Sequence, residues 1–301
     1  MKYAGGQKSI IKENTAARGG FAYSVCGCCG IAALNGGGAI YTCPFCAEGS
    51  LENAGEPKAI PEFYAPFEIG REEAEKKFLS WSRGKLWAPE AMRKGASPLK
   101  KAYIPFWIFD AQADADYSVN VASYDKRAAR GSNPPRMKWK KKGGRFAKYF
   151  ERVPAAATYI LSNEIMEGIL PFDTLKLRSC AKEGIDGVAA ACAIDEAKAL
   201  SKAEAEMEAA LRTDIIDFHL SMPGCDAADI EHVSADYNTA KGQLALLPVW
   251  MTSYTYRGNT YRYIMNGQSG KAVGQWPFSR AKAVIATALI LAGAAVLALL
   301  I

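Results

Sequence analysis

Histidine is nearly missing from this chain. Only His219 and His232 occur in 301 residues, and neither sits in a His-Glu-x-x-His pattern or a similar metal-binding one. Nor is there a Gly-x-x-x-x-Gly-Lys-Ser/Thr loop to cradle the phosphates of a nucleotide, which removes the P-loop hydrolases and motor helicases. The first 25 residues hold no apolar run behind a basic start, so no secretory signal is expected. Between residues 21 and 50 there is no lysine or arginine at all. Glu48 is the one charged residue there, so this segment is not a phosphate-binding surface.

What that uncharged segment does contain is cysteine. Cys26, Cys29, Cys43 and Cys46 form a Cys-x2-Cys-x13-Cys-x2-Cys array, the spacing of a zinc ribbon. Each Cys-x-x-Cys knuckle turns tightly enough for both sulfurs to reach one ion. Gly30, Gly36, Gly37 and Gly38 supply turns for the connecting hairpin, with Tyr41 and Thr42 leading into the second knuckle. A fifth cysteine, Cys28, lies inside the first knuckle and could replace Cys26 or Cys29, but the regular spacing favours the other four. Four thiolates fill a tetrahedral shell and leave no position for water or substrate, so one structural Zn²⁺ is expected. The remaining Cys180, Cys192 and Cys225 are scattered. Thiolates and unpaired thiols together point to a reducing compartment, the cytosol.

Charge is unevenly spread. The total is +6, yet residues 125–152 alone hold eleven basic side chains and two acidic ones, a local +9. Within this run Arg136, Lys138, Lys140, Lys141, Lys142 and Arg145 are the candidate anionic-surface contacts, interleaved with Trp139, Phe146, Tyr149 and Phe150. Lysines and aromatics in that mixture suit a lipid headgroup layer or stacked bases. A solvated hairpin arm is the plainer reading of the same residues.

The far end is apolar. Residues 283–301 are nineteen uncharged residues, and as a helix they would span roughly 28 Å, near the thickness of a bilayer core. Lys271, Arg280 and Lys282 precede them. A C-terminal transmembrane anchor over 280–301, with the body on the cytoplasmic side, is the expectation.

Between the ends the pattern is mixed. Residues 1–20 read as a loose lead-in, 21–50 as the ribbon, 51–62 as a linker with Pro57 and Pro61, and 63–279 as an α+β body with antiparallel β meanders. A helix is expected after Gly70, with Ala74, Phe78 and Trp81 on one face. Tyr103–Phe109 reads as a strand, and the alternation from Ala111 to Val121 as a half-buried one. Asp110, Asp114 and Asp116 belong to its polar side. Asp195 is placed to cap a helix over 195–218 with an apolar stripe of Ile194, Ala197, Leu200, Met207 and Leu211. Tyr254 and Tyr256 lead to a hairpin turn at Gly258-Asn259, and 266–270 makes another turn.

Four features occur in order: the ribbon, Ile-Pro-Phe-Trp-Ile-Phe-Asp-Ala (104–111), Leu-Pro-Val-Trp (247–250) and Met-Asn-Gly-Gln-Ser-Gly-Lys-Ala-Val-Gly (265–274). This combination resembles the bacterial transcription-factor-IIB-type zinc-ribbon-containing membrane proteins, whose members often carry the label of primosomal replication-restart helicase. The resemblance implies Cys26, Cys29, Cys43 and Cys46 as zinc ligands and brings no biochemical activity with it. This chain lacks the second Cys-x-x-Cys ribbon many members have, and Ala47 stands where a glycine commonly follows the last ligand.

The function expected is therefore a membrane-anchored cytoplasmic binding or scaffold protein, held by its C-terminal helix in the bilayer, with a protein partner. Nucleic-acid binding through the ribbon and residues 126–152 is the alternative. An enzyme would have to rest on Cys225 and His232, and nothing local marks that thiol as activated.

Overall fold

The computed structural model describes residues 21–35, 43–46, 49–55, 59–85, 88–89, 92, 96–124, 137–180 and 185–277. Strands hold 47% of them, joined in one twelve-stranded mixed sheet, with three α-helices against it. The spine is β5 (Lys100–Tyr124). The aromatic run and the alternating run that follows it are one strand, with a bulge between Phe109 and Ala111 and a second register shift, against its other neighbour, between Ser118 and Val119. Asp110 staples that bulge, its carboxylate accepting the Arg152 amide at 2.7 Å.

The first half of β5 lies between β10 (Gln243–Tyr256), antiparallel, and β8 (Val188–Ala190), parallel. Its second half runs between β6 (Met137–Ala156) and β9 (Ala227–Thr239) as a three-stranded arm. Beyond β10 come β11 (Asn259–Asn266) and β12 (Ala272–Gly274). The β10–β11 turn is Arg257-Gly258, both at positive φ, one residue earlier than the sequence suggests.

The helices cover the sheet where the apolar positions fall. In α1 (Arg71–Arg83) Ala74 and Phe78 are buried against Trp250 and Tyr263, with Trp81 packed alongside. The short α2 (Asn163–Ile169) adds Met166 and Ile169 to the central core. The long α3 (Glu196–Leu220) is capped by Asp195, whose carboxylate takes the Lys198 amide at 2.8 Å. Its buried stripe is Ala199, Ala203, Met207, Leu211, Ile215 and His219, at steps of four. That stripe lies on Ala111, Ala113 and Ala115 of the arm. Alanine against alanine lets helix and sheet approach closely. Met207, Leu211 and Ile215 then contribute about 1.5–3 kcal/mol each by burial. The expected stripe differs: Ala197 is exposed.

Two expectations are corrected here. The α+β body with a separate ribbon gives way to one mixed sheet that includes the ribbon strands. Of these, β1 (Ala22–Cys26) pairs with β2 (Ala32–Asn35) and with β3 (Leu51–Gly55), the last lying inside the expected linker. In turn β2 pairs with β8, so the ribbon and the spine are in one sheet. The reason is the near-absence of charge in 21–50: Phe21, Leu34 and Phe45 need a core, and the body supplies it. The membrane-spanning helix is the second correction. Among the described residues no helix is long and apolar enough to cross a membrane, and 280–301 lies outside them.

The two Pro-x-Trp segments sit side by side, with Ile104 opposite Leu247 and Pro105 opposite Leu246. Each tryptophan clamps the start of a helix. Trp107 Nε1 donates to the carbonyl of Ile194, just before the Asp195 cap of α3. Trp250 Nε1 donates to that of Ile69, just before the Gly70 cap of α1. Both distances are 2.9 Å. α1 precedes β5 and is clamped from β10, while α3 precedes β10 and is clamped from β5. The arrangement is reciprocal about the β5–β10 pair.

The 265–274 segment is a structural hub. Asn266 is fully buried; its amide nitrogen donates to the carbonyls of Ile169 and Pro171, and its oxygen accepts the amides of Gln268 and Ser269. Gln268 exchanges two hydrogen bonds with the Asp173 backbone. A pair of short strands also anchors this side, β4 (Phe63–Tyr64) joining β10 to β7 (Arg178–Ser179).

Candidate metal centre

The first knuckle begins at the end of β1. Cys26 N donates to Ile31 O and Gly30 N to Cys26 O, both at 2.9 Å, closing a loop that needs Gly30 at φ +67. The second knuckle, residues 43–46, is tied at its base by Cys43 N to Gly49 O at 2.7 Å. Gly49 N also donates to Cys46 Sγ at 3.3 Å. A Cβ at Gly49 would stand 2.4 Å from Cys26 Sγ and 2.6 Å from Cys28 Cβ, so only glycine fits between the knuckles. The sequence signal for it was a glycine three residues past the last cysteine, not the position of Ala47.

The four sulfurs of Cys26, Cys29, Cys43 and Cys46 lie within 4.8 Å of one another and could hold a metal ion. Cys26 Sγ is 3.7 Å from Cys46 Sγ, and Cys29 Sγ is 3.8 Å from Cys43 Sγ. Tetrahedral thiolate coordination with bonds of about 2.3 Å sets sulfurs about 3.8 Å apart, so the donor set fits. Burial pushes the Cys29 thiol up to about 11 and raises Cys43 further. Thiolates in such a place require a cation. Cys28 is exposed and outside the cluster of four.

Among the described residues the basic segment, 137–152, does not form one surface. Strand alternation divides β6: Lys138, Lys140 and Lys142 are on the α3 side, and Lys141 and Arg145 are on the open side. Arg136 lies outside the described residues. Lys141 pairs with Glu231 at 2.5 Å, Arg145 with Asp116 at 3.1 Å, and Lys148 with Asp214. On the open face Asp114, Asp116, Asp229, Glu231 and Asp236 outnumber the two cations. That face is acidic.

His219 is buried at the end of α3, its Nε2 3.0 Å from Tyr117 Oη. His232 is exposed on β9. Cys225 donates to the carbonyl of Ala227 at 3.3 Å.

Two clefts, invisible in the sequence because their walls come from distant segments, flank the ribbon. One, of about 840 Å³, opens between Gly30–Ala32 of the first knuckle and Trp107, Tyr159 and Ile194 of the body. The other, of about 550 Å³, opens beside Pro44 of the second knuckle. Both volumes fall in the range of small-ligand sites.

No family model matches this chain, and no solved structure matches it. The chain is similar to "Uncharacterized protein YdjG" of Bacillus subtilis (strain 168), 24% identical over 239 residues. The similar region is 74% of this chain and 65% of that relative, less than two thirds of its length.

Proposed function

We propose that this is a binding protein whose N-terminal ribbon is held by one structural Zn²⁺, and that it carries out no catalytic step of its own. The observation that carries the reading is the pair of sulfur–sulfur distances, 3.7 and 3.8 Å, each joining one knuckle to the other. Four thiolates favour a borderline-soft ion with no geometric demand of its own, which suits zinc. Such a shell is closed, so the ion staples the chain rather than activating a substrate. A reducing compartment keeps the thiolates available.

The metal would act on binding by position. The knuckles wall both clefts, so the ion fixes their shape. A protein partner is expected to engage the larger cleft at its rim, where Tyr159 is 63% exposed with Lys198 Nζ 5.3 Å from its ring centre. Nucleic acid is disfavoured by the acidic open face of the arm and by the uncharged ribbon.

The test is photo-crosslinking in living cells from a benzophenone side chain placed at Tyr159, compared with one at Leu175, which is equally exposed at 63%. Discrete adducts from position 159 alone are expected. Adducts of equal yield from both positions, or from neither, would overturn the reading.

A further inference from the structure

Cys28 stands in the first knuckle between two of the candidate ligands, Cys26 and Cys29. The ligand thiols are withdrawn from solvent: Cys26, Cys43 and Cys46 are buried and Cys29 is half-buried. Cys28 is exposed. Attack on sulfur follows access as well as thiolate character, so a small oxidant in solution meets Cys28 first. The other non-ligand thiols, Cys180, Cys192 and Cys225, are buried or half-buried and lie outside the cluster.

Gly49 keeps the way open between Cys28 and Cys26. The point where its Cβ would stand is 2.4 Å from Cys26 Sγ and 2.6 Å from Cys28 Cβ. Both distances meet at that one point, so Cys28 Cβ is no more than about 5 Å from the Cys26 sulfur. A formed disulfide sets the same separation at about 3 Å. Rotation of the Cys28 side chain and a slight tightening of the turn close that difference, and no side chain at position 49 stands in the way. Cys29 is the poorer partner. Consecutive Cα atoms are about 3.8 Å apart, inside the roughly 4.4–6.8 Å that an unstrained bridge spans.

We propose that Cys28 is the site at which hydrogen peroxide oxidises the ribbon, and that its bridging to Cys26 releases the metal. This inference rests on the zinc reading above. In the first step the Cys28 sulfur attacks the peroxide: an S–O bond forms, the O–O bond breaks, and water leaves. In the second step the Cys26 thiolate attacks the Cys28 sulfur of that sulfenic acid. The S–S bond forms, and hydroxide leaves with the electrons of the S–O bond and takes a proton from solvent. The two sulfurs give up two electrons between them, and the peroxide is reduced to water. Cys26 is then no longer a ligand, and three thiolates are left to hold the ion. The knuckles wall both clefts, so the oxidation reaches the binding surfaces as well.

The experiment treats the zinc-loaded full chain with hydrogen peroxide and follows the freed zinc with a chromogenic chelator. Cys28→Ser keeps all four ligands, so it should start fully loaded and release zinc roughly tenfold more slowly than the wild type. Cys225→Ser should match the wild type. Peptide mapping of the oxidised wild type should show a bridge between Cys26 and Cys28, and a thiol reductant with added zinc should restore the loaded form. Zinc release from Cys28→Ser at the wild-type rate would overturn the proposal. So would a bridge that leaves out Cys28, or a Cys28→Ser chain that cannot hold zinc. A wild-type chain that binds no zinc fails the earlier reading and this one with it, whereas a loaded chain whose release ignores Cys28 fails this one alone.

Discussion

Tyr117 Oη lies 3.0 Å from His219 Nε2, joining the middle of the arm to the last turn of α3. The contact is made possible by Gly144 on the neighbouring strand. A Cβ there would stand 2.9 Å from the tyrosine oxygen, so the ring lies over the glycine to reach the helix. Burial lowers the His219 pKa from its ordinary value, and the nearby charge of Lys142 lowers it further. The C-terminal end of a helix favours a protonated histidine, but here desolvation and the lysine prevail.

A histidine with a depressed folded-state pKa is neutral in the native protein while the unfolded chain still takes up a proton. Its contribution is therefore complete above about pH 6.5 and is lost as pH falls through the lowered native value. The melting temperature of the wild type should drop more steeply as pH falls below about 6.5 than that of His219→Gln. Thermal scans across that window check this; parallel slopes would remove His219 as the cause.

Cys43→Ser should lose the metal and also destabilise the body. Cys43 is fully buried in the same core as Ile104, Phe106 and Leu247, so the effect cannot stay within the ribbon. A loss of several kcal/mol is expected, read by elemental analysis together with circular dichroism melts. Full metal occupancy, or loss of metal without a change in melting, would contradict it.

Gly49→Ala tests how closely the knuckles must approach. The added methyl would meet a ligand sulfur and the Cys28 side chain. Metal affinity should fall by about tenfold or more in competition with a chromogenic chelator. Gly55→Ala serves as control: its Cβ meets nothing within 4 Å, although its φ of +98 adds backbone strain away from the metal.

Asn266→Ala should cost about 2–4 kcal/mol in urea unfolding, because it leaves two buried carbonyls and two amides without their partner. Asn266→Asp keeps the two accepted bonds and loses the two donated ones. It should also be destabilised, since its carboxylate would face the Ile169 and Pro171 carbonyls. A native midpoint in either variant would show that the hub is not needed for stability.

The sequence revealed the local elements well and their assembly poorly. Alternation through Ala111–Val121 correctly marked one buried side, and Asp114 and Asp116 are exposed as their positions on that strand require. The Asp195 cap was readable because a short polar side chain before an apolar period has few other uses. The α3 stripe was readable only in part: Met207 and Leu211 are buried as expected, but Ala197 is exposed, because alanines occur all round that helix and give no contrast. Only the alanines of β5 select which side is buried. The four cysteines were readable from spacing alone. That their strands join the main sheet was not, since the β2–β8 pairing links residues more than 150 positions apart. The basic residues of 137–152, the described part of the run, looked like one patch in the sequence. The pleat sends neighbours to opposite sides and sets carboxylates from β5 and β9 beside those on the open face.

The crossed tryptophan clamps have a bearing on how this chain could be divided. Severing it between α2 and α3 would leave α1 in one fragment and Trp250 in the other, and would part α3 from Trp107 in the same way. Each piece would hold a helix whose leading carbonyl has lost its indole. The two halves are thus mutual templates, and fragments made this way would regain native order only on reassociation.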